Sequence, residues 1–439
     1  MPSSLLQGLN RYINTVNAMQ FFQLFRFGTA ILISILLTKS SLTTAEIAVY
    51  EWLLFIGTAL SFFWVNAFLE ALLPLYPERD AEGQRVLFFQ AFCWFGGMSL
   101  LLVGLLWGVQ AWALPLLTGR SDLPFFHYYL LFLLFNLPTV LIEYIYLLRK
   151  QSQAILLYGA LAFGGYLVAV LLPIFAGWGL EKSLQGMVLV GAAKLLWLLV
   201  LLLRYAKVKW EWEGFRAYLA LGVPLVAYAM VGGFANIFDS WLVGWSFAEE
   251  EAFAVFRYGA RELPLATALV GGLYTAMVPE VAVNLERAMG MIKEKSRRMY
   301  HWLFPVSILL MLSSDYLFPL IFNPDFAESA TIFKVYLLAL ISRALLPYTL
   351  MMGLKQTRPI LLISILEMLV NIGLSLWLVQ VFGLPGIALA TVIAYLFEKL
   401  AMIGWLKIKF GIAPSAYTDF GWYWGYGLLL LLSFFFGIK

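Results

Sequence analysis

The 439-residue sequence predicts an all-α integral membrane protein, with twelve or thirteen transmembrane helices in two parallel six-helix repeats around a central cavity. Three observations predict it. Hydrophobic residues make up 62% of the chain and charged residues only 12%, where a soluble domain carries about 25% charge. The apolar residues fall in blocks of about 20, the length a helix needs to cross the hydrocarbon core. Patterns in the first half recur about 205 residues later in the second. The composition excludes a soluble enzyme, a nucleic-acid binder and a disordered chain.

The blocks are bounded by charges and turn residues. In the first half they are 17–38, 45–73, 86–107, 127–148, 154–176 and 184–203, and in the second 217–246, 254–284, 301–321, 331–353, 360–382 and 386–406. A last block, 422–438, is about 17 residues long and just reaches across, or lies partly in the interface behind Trp422, Tyr423, Trp424 and Tyr426. The polar start, Met1 to Val16, carries Arg11 and is followed by no small-residue cleavage signature, so the first block reads as a retained span. The domains expected are a six-helix bundle at 1–203, a basic cytoplasmic linker at 204–216, a second six-helix bundle at 217–406, and 407–439 as a cytoplasmic segment with the thirteenth block.

Orientation follows from loop charge, because Lys and Arg stay in the cytoplasm during insertion. Loops after even-numbered spans hold 17 Lys and Arg and loops after odd-numbered spans hold six, which places the N-terminus and the even loops inside. The odd loops are too short for an external catalytic domain.

Five matches carry the repeat. Ala48-Val49-Tyr50-Glu51 recurs as Ala254-Val255-Phe256-Arg257, Pro77-Glu78 as Pro279-Glu280, Lys150-Gln151-Ser152 as Lys355-Gln356-Thr357, Gly179-Leu180 as Gly383-Leu384, and Lys194 as Lys399. A period of six spans is even, so both halves enter the membrane in the same sense, the arrangement of transporters that rock one bundle against the other.

A charge at mid-membrane costs at least about 2.5–3.5 kcal/mol, so each one is a functional candidate. Arg26 and Arg343 lie midway along spans one and ten; either they pair with a carboxylate on a neighbouring helix or they face the cavity and hold an anion. Arginine suits the second role because its planar fork binds phosphate oxygens in pairs. Arg257 and Arg261 lie one turn apart at the external start of span eight, with Glu249, Glu250, Glu251 and Glu262 nearby, which is either a solvated helix entrance or two more cations at the mouth of the cavity. Glu51 occupies the repeat position of Arg257, and the two form a candidate external gate.

Among the intramembrane acids, Glu70 and Glu143 are expected to reach the headgroups, while the adjacent Glu398 and Lys399 are expected to need separate partners. Asp239 and Glu367 are deeper; each either counters an arginine or couples transport to H+ or Na+. Lys194, at mid-span, either joins the cationic set or snorkels. Gln23, Asn66, Asn136, Tyr144, Asn236 and Asn371 can line a sugar-sized cavity or bond between helices. One cysteine, Cys93, and two separated histidines, His127 and His301, offer no disulfide within the chain and no metal-ligand spacing, so no cofactor, catalytic residue or metal site is expected.

At this point specific stretches carry a resemblance. Phe238-Asp239-Ser240-Trp241-Leu242-Val243-Gly244 and Phe253-Ala254-Val255-Phe256-Arg257-Tyr258-Gly259-Ala260-Arg261-Glu262-Leu263-Pro264 resemble span seven and the start of span eight of bacterial polysaccharide (O-antigen-type) flippases. Lys355-Gln356-Thr357-Arg358-Pro359 resembles that group's connection between spans ten and eleven. The group belongs to the multidrug/oligosaccharidyl-lipid/polysaccharide (MOP) exporter superfamily. The resemblance implies an inner-membrane flippase for an undecaprenyl-diphosphate-linked oligosaccharide in polysaccharide biosynthesis, working among membrane lipids with polymerase and chain-length partners. It carries cavity cations onto Arg26 and onto Arg257 or Arg261. One block after span twelve, where some relatives have two, weighs against a peptidoglycan-precursor flippase.

Two rivals follow from the same residues. A multidrug or organic-cation antiporter of the superfamily needs an acidic cavity, and the clearest mid-span charges here are arginines, although Asp239 and Glu367 keep it open. A membrane glycosyltransferase or polymerase needs a long external loop, which this chain lacks. The expected activity is therefore transport, not catalysis.

Overall fold

The computed structural model describes residues 15–247, 249–260, 264–354 and 356–437. The helices of the first half are α1 (Thr15–Thr38), α2 (Thr44–Leu75), α3 (Ala81–Thr118), α4 (Phe126–Asn136), α5 (Leu141–Leu148), α6 (Ser152–Phe175) and α7 (Gly179–Tyr205). Those of the second are α8 (Trp212–Ser246), α9 (Glu250–Gly259), α10 (Pro264–Val283), α11 (Leu285–Ile321), α12 (Ala327–Leu337), α13 (Ala339–Arg343), α14 (Pro347–Gly353), α15 (Thr357–Phe382), α16 (Leu384–Phe410) and α17 (Phe420–Gly437). Span four comprises α4 and α5 around a 3-10 turn at Leu137–Val140, span eight α9 and α10, and span ten α12 to α14.

Among the described residues, eleven helices are long and apolar enough to cross a membrane, and twelve when Pro324–Arg343 and Pro347–Gly353, bent by 45°, count as one span. The last block belongs to this set as α17. Two spans are much longer than their apolar blocks: α3 has 38 residues and α11 has 37, about 55 Å each at 1.5 Å per residue. Hydropathy marks where a helix enters lipid, whereas the N-cap marks where it starts. Asp80 accepts from the Gly83 N–H at 2.8 Å and Asn284 from the Arg287 N–H at 3.0 Å, so α11 runs through the charged stretch 285–298.

The repeat is written in the helix boundaries. Helices α6 and α15 begin at Ser152 and Thr357, α7 and α16 at Gly179 and Leu384, and the latter pair end at Tyr205 and Phe410, each pair 205 residues apart. The fourth span of each half is also interrupted, at 137–140 and again at 344–346.

Contacts divide the chain into two compact units, Met1–Met230 and Val231–Lys439, with the division inside α8. In the first unit α1 packs on α6, α6 on α7, and α4 on both α7 and α3, around the buried rings of Trp52, Phe68, Phe88 and Phe95. In the second unit α15 and α16 form a hairpin, and α11 packs on α10, α12 and α17. Both hairpins need a glycine where the backbones meet. A Cβ on Gly186 would lie 2.6 Å from the Ala169 carbonyl oxygen, and one on Gly386 would strike the Leu378 carbonyl.

The stretch expected as a linker, 204–216, is tied to the start of α3. The Lys207 N–H donates to the Arg85 carbonyl at 3.0 Å, Arg85 to the Ala206 carbonyl at 3.2 Å, Gln90 to the Glu211 carbonyl at 2.7 Å and Arg79 to the Gly214 carbonyl at 2.9 Å. Lys207 and Lys209 both pair with Glu82, at 2.7 and 3.3 Å. Donors at and just before the start of α3 therefore fasten this stretch by its carbonyls.

Candidate functional site

The second unit gathers three of the residues singled out from the sequence. Asp239, Ser240, Phe256, Arg257, Ala260, Tyr336 and Arg343 line one cavity of about 430 Å³. Arg257 stands in the last turn of α9, where a cation meets the negative end of the helix dipole. Arg343 is the last residue of α13, at the interruption of span ten, with its guanidinium 4.4 Å from the centre of the Tyr395 ring.

Asp239 lies on α8 and is 1% exposed. Its carboxylate accepts from Tyr336 at 3.3 Å, from Ser375 at 3.5 Å and from Thr391. Asn371 donates to the Thr391 hydroxyl at 3.1 Å, and its own Oδ1 is buried with no hydrogen-bond partner. A carboxylate taken out of water needs donors or a cation; here hydroxyls from α12, α15 and α16 are the donors. Tyr336, Ser375 and Thr391 were not among the residues picked out by sequence. A partial signal was present: Asn371 and Ser375 are four residues apart on one face of a mid-membrane helix.

Glu367, on the same face of α15 as Asn371, is 9% exposed, and its Oε1 has no hydrogen-bond partner. The charges that act on it are Glu398, Lys399 and Arg343. Lys399 and Glu398, expected to need separate partners, pair with each other. The lysine stem is long enough to fold back on its neighbour, and both heads are largely buried, at 11% and 16% side-chain exposure.

The other candidates among the described residues belong to the first unit. Arg26, on α1, is exposed at mid-span, with its guanidinium 5.4 Å from the Phe27 ring centre. Glu51, on α2, is 3% exposed, and Arg261 lies outside the described residues. Glu143, expected near the headgroups, is instead 8% exposed, on α5 among the buried Leu141, Ile142, Ile145 and Tyr146. Arg26 and Lys194 are the cations that act on it. Lys194 does not snorkel; its ammonium donates to Asn136 Oδ1 at 2.6 Å.

The arrangement suits binding rather than bond-breaking chemistry. Two guanidiniums border a space of about 430 Å³, the size of a small-ligand site, beside one carboxylate already solvated by hydroxyls. The excess charge is positive, and planar donors of this kind take phosphate oxygens in pairs.

A family model described as Lipid II flippase MurJ matches residues 60–420. No curated protein matches the sequence. Among solved structures, the fold is similar to that of a lipid II flippase MurJ in an inward closed conformation, with a TM-score of 0.68 and 16% identity over 95% of this chain and 97% of that one. It is also similar to an inward-facing multidrug resistance MATE family transporter of the MOP superfamily, with a TM-score of 0.65 and 15% identity over 87% and 93%. A mutant Vibrio cholerae MATE transporter aligns with a TM-score of 0.55 and 13% identity over 90% and 98%. At such identities the structures speak for the fold alone. The family rests on the sequence match, which spans well over half the length: the chain belongs to the lipid II flippase MurJ family.

Proposed function

We propose that the protein moves a polyprenyl-diphosphate-linked glycan from the cytoplasmic to the outer leaflet of a bacterial inner membrane, with its N-terminus in the cytoplasm. The cavity of the second unit carries this reading. Arg257 and Arg343 both line it, and their planar guanidiniums offer the paired donors that the oxygens of a diphosphate take. Arg26 extends the cationic set in the first unit, and Arg261 is the fourth cation of the proposal. Exposing the cavity to one side of the membrane and then the other carries the headgroup while the lipid tail stays in the bilayer.

Family membership supports a substrate of lipid II type. A second glycan, the O-antigen-type oligosaccharide of polysaccharide assembly, is favoured by the stretches 238–264 and 355–359. The diphosphate is common to both, so the arginines have the same role in either. In the second case polymerase and chain-length proteins act on the product. The MATE likeness invites exchange of an organic cation, but a cavity with two arginines and one buried aspartate repels such a substrate.

Asp239 is the coupling group of this proposal. Its carboxylate, the hydroxyls of Tyr336, Ser375 and Thr391 and the unpartnered Oδ1 of Asn371 form a set of oxygens of the kind a hard cation takes. Sodium is the ion proposed, with a proton on Asp239 as the alternative. Glu367 serves as counter-charge to Arg343.

The test is native mass spectrometry of the purified protein, offered lipid II, a polyprenyl-diphosphate oligosaccharide and a panel of organic cations. Retention of either diphosphate lipid, weakened by at least about tenfold in Arg343→Ala and in Arg257→Ala, is the expected result. Retention of the cations alone would replace this reading with that of an antiporter.

A further inference from the structure

Span ten is interrupted where its arginine stands, and the interruption is held by the last helix. Helix α13 ends at Arg343, residues 344–346 are not helical, and α14 resumes at Pro347. Two backbone bonds of a continuous helix are missing. The Leu345 N–H, which would serve the Ile341 carbonyl, turns to the Ser342 carbonyl at 3.1 Å. Pro347 has no N–H to offer the carbonyl of Arg343. At membrane depth no water replaces such bonds, so neighbouring side chains must.

Tyr423, on α17, replaces the first, donating to the Ile341 carbonyl at 2.9 Å, and Tyr300, on α11, donates at 3.0 Å to the Ala344 carbonyl, next to the one that Pro347 cannot serve. The opposite end of α17 is tied to the same span. The buried ammonium of Lys334, on α12, donates to the Gly437 carbonyl at 2.6 Å and to both carboxylate oxygens of Asp315 at 2.6 Å. Between these ends Leu430 is 0% exposed and packs with Leu337, Leu340, Ala344 and Leu345. The other face of α17 turns outward, with Trp424 62% and Phe435 70% exposed.

We propose that α17 is a clamp on span ten, with Tyr423 and Tyr300 as positioning residues that fix the interruption in one geometry and so hold the Arg343 guanidinium over Tyr395 and beside the cavity. The clamp reaches the ligand only through Arg343, and it rests on the reading of Arg343 as a diphosphate ligand.

The experiment uses the full-length protein in nanodiscs, with the unaltered chain, Tyr423→Phe, Tyr300→Phe, Arg343→Ala and Tyr423→Phe combined with Arg343→Ala. Hydrogen exchange is followed over 338–346, and binding of farnesyl diphosphate is measured in parallel. Tyr423→Phe is expected to speed exchange over 341–346 by about tenfold, the worth of one buried hydrogen bond, and to weaken diphosphate binding. In the Arg343→Ala background it is expected to weaken binding no further, which a general loosening of the unit would not reproduce. Tyr300→Phe provides an independent opening of the same segment should Tyr423→Phe fold poorly. Exchange unchanged in both tyrosine variants overturns the clamp. Faster exchange with unchanged diphosphate binding, where Arg343→Ala loses it, overturns the positioning role. Normal binding by Arg343→Ala marks failure of the ligand reading, and the exchange result alone then decides on the clamp.

Discussion

Asp239 shows how a single carboxylate is held at membrane depth by hydroxyl donors. Three hydroxyl donors replace the water lost on burial, and Asn371 supports one of them. Removing a donor leaves its partners short, so Thr391→Val is expected to lower stability by about 1–3 kcal/mol in thermal unfolding. Asp239→Asn keeps the shape and still accepts from the hydroxyls, but it lacks the charge a cation needs. Sodium is therefore expected to raise the melting temperature of the unaltered protein and not that of Asp239→Asn; equal shifts in the two would remove Asp239 from ion coupling. The acid itself was legible in the sequence, because a charge in an apolar block stands out. Its hydroxyl partners were not, since a serine or threonine in a membrane helix can satisfy itself on its own backbone, as Ser34 does on the Ala30 carbonyl at 3.0 Å. Pairing of Lys399 with the adjacent Glu398 was missed for a related reason: side-chain reach, not position on the helical wheel, decides it.

At the scale of elements, the interruptions of spans four and ten follow one rule. Each has a proline within it or directly after it, and a side chain from the span before serves a carbonyl at the interruption. In span four Pro138 cannot donate to the Leu134 carbonyl, which instead receives the Ser99 hydroxyl at 3.2 Å. Tyr300 plays the corresponding part for span ten. Ser99→Ala strips a buried carbonyl of its donor and is expected to cost about 1–3 kcal/mol, with faster hydrogen exchange confined to 134–140. Exchange that rises evenly over the first unit would show that Ser99 is not a local support. Pro138 and Pro347 were visible as allowing kinks, but the side chains that complete each one come from about 40 residues away, at 99 and 300, and hydropathy carries no record of them. The lengths of α3 and α11 escaped for the opposite reason. The N-terminal extensions, 81–85 and 285–300, are rich in charge and so fall outside an apolar block, while the end of α3 runs on past 107 to Thr118 through Gln110 and Pro115.

For the whole molecule, the all-helical class and the number of spans were the most legible, because the bilayer restricts spanning segments to helices. The repeat found from five short matches reappears as helix boundaries 205 residues apart. The branch of the superfamily was less legible. Stretches around Asp239 and Arg257 resemble polysaccharide flippases, while the match over 60–420 is to the lipid II flippase family; the arginines proposed to receive a diphosphate do not distinguish the glycans attached to it. Orientation is open to a direct check. In a Cys93→Ser background, a cysteine placed at Lys209 is expected to be shielded from an impermeant maleimide in intact cells, and one placed at Asp122 to be labelled. The reverse pattern would invert the topology.

The most direct measurement is the movement of fluorescent lipid II across proteoliposomes containing the unaltered protein or the Arg257→Ala, Arg343→Ala double variant at equal abundance. The structure predicts protein-dependent flipping that falls to the rate of empty liposomes in the double variant. Flipping by the variant at the unaltered rate would contradict the assignment of the diphosphate to this cavity.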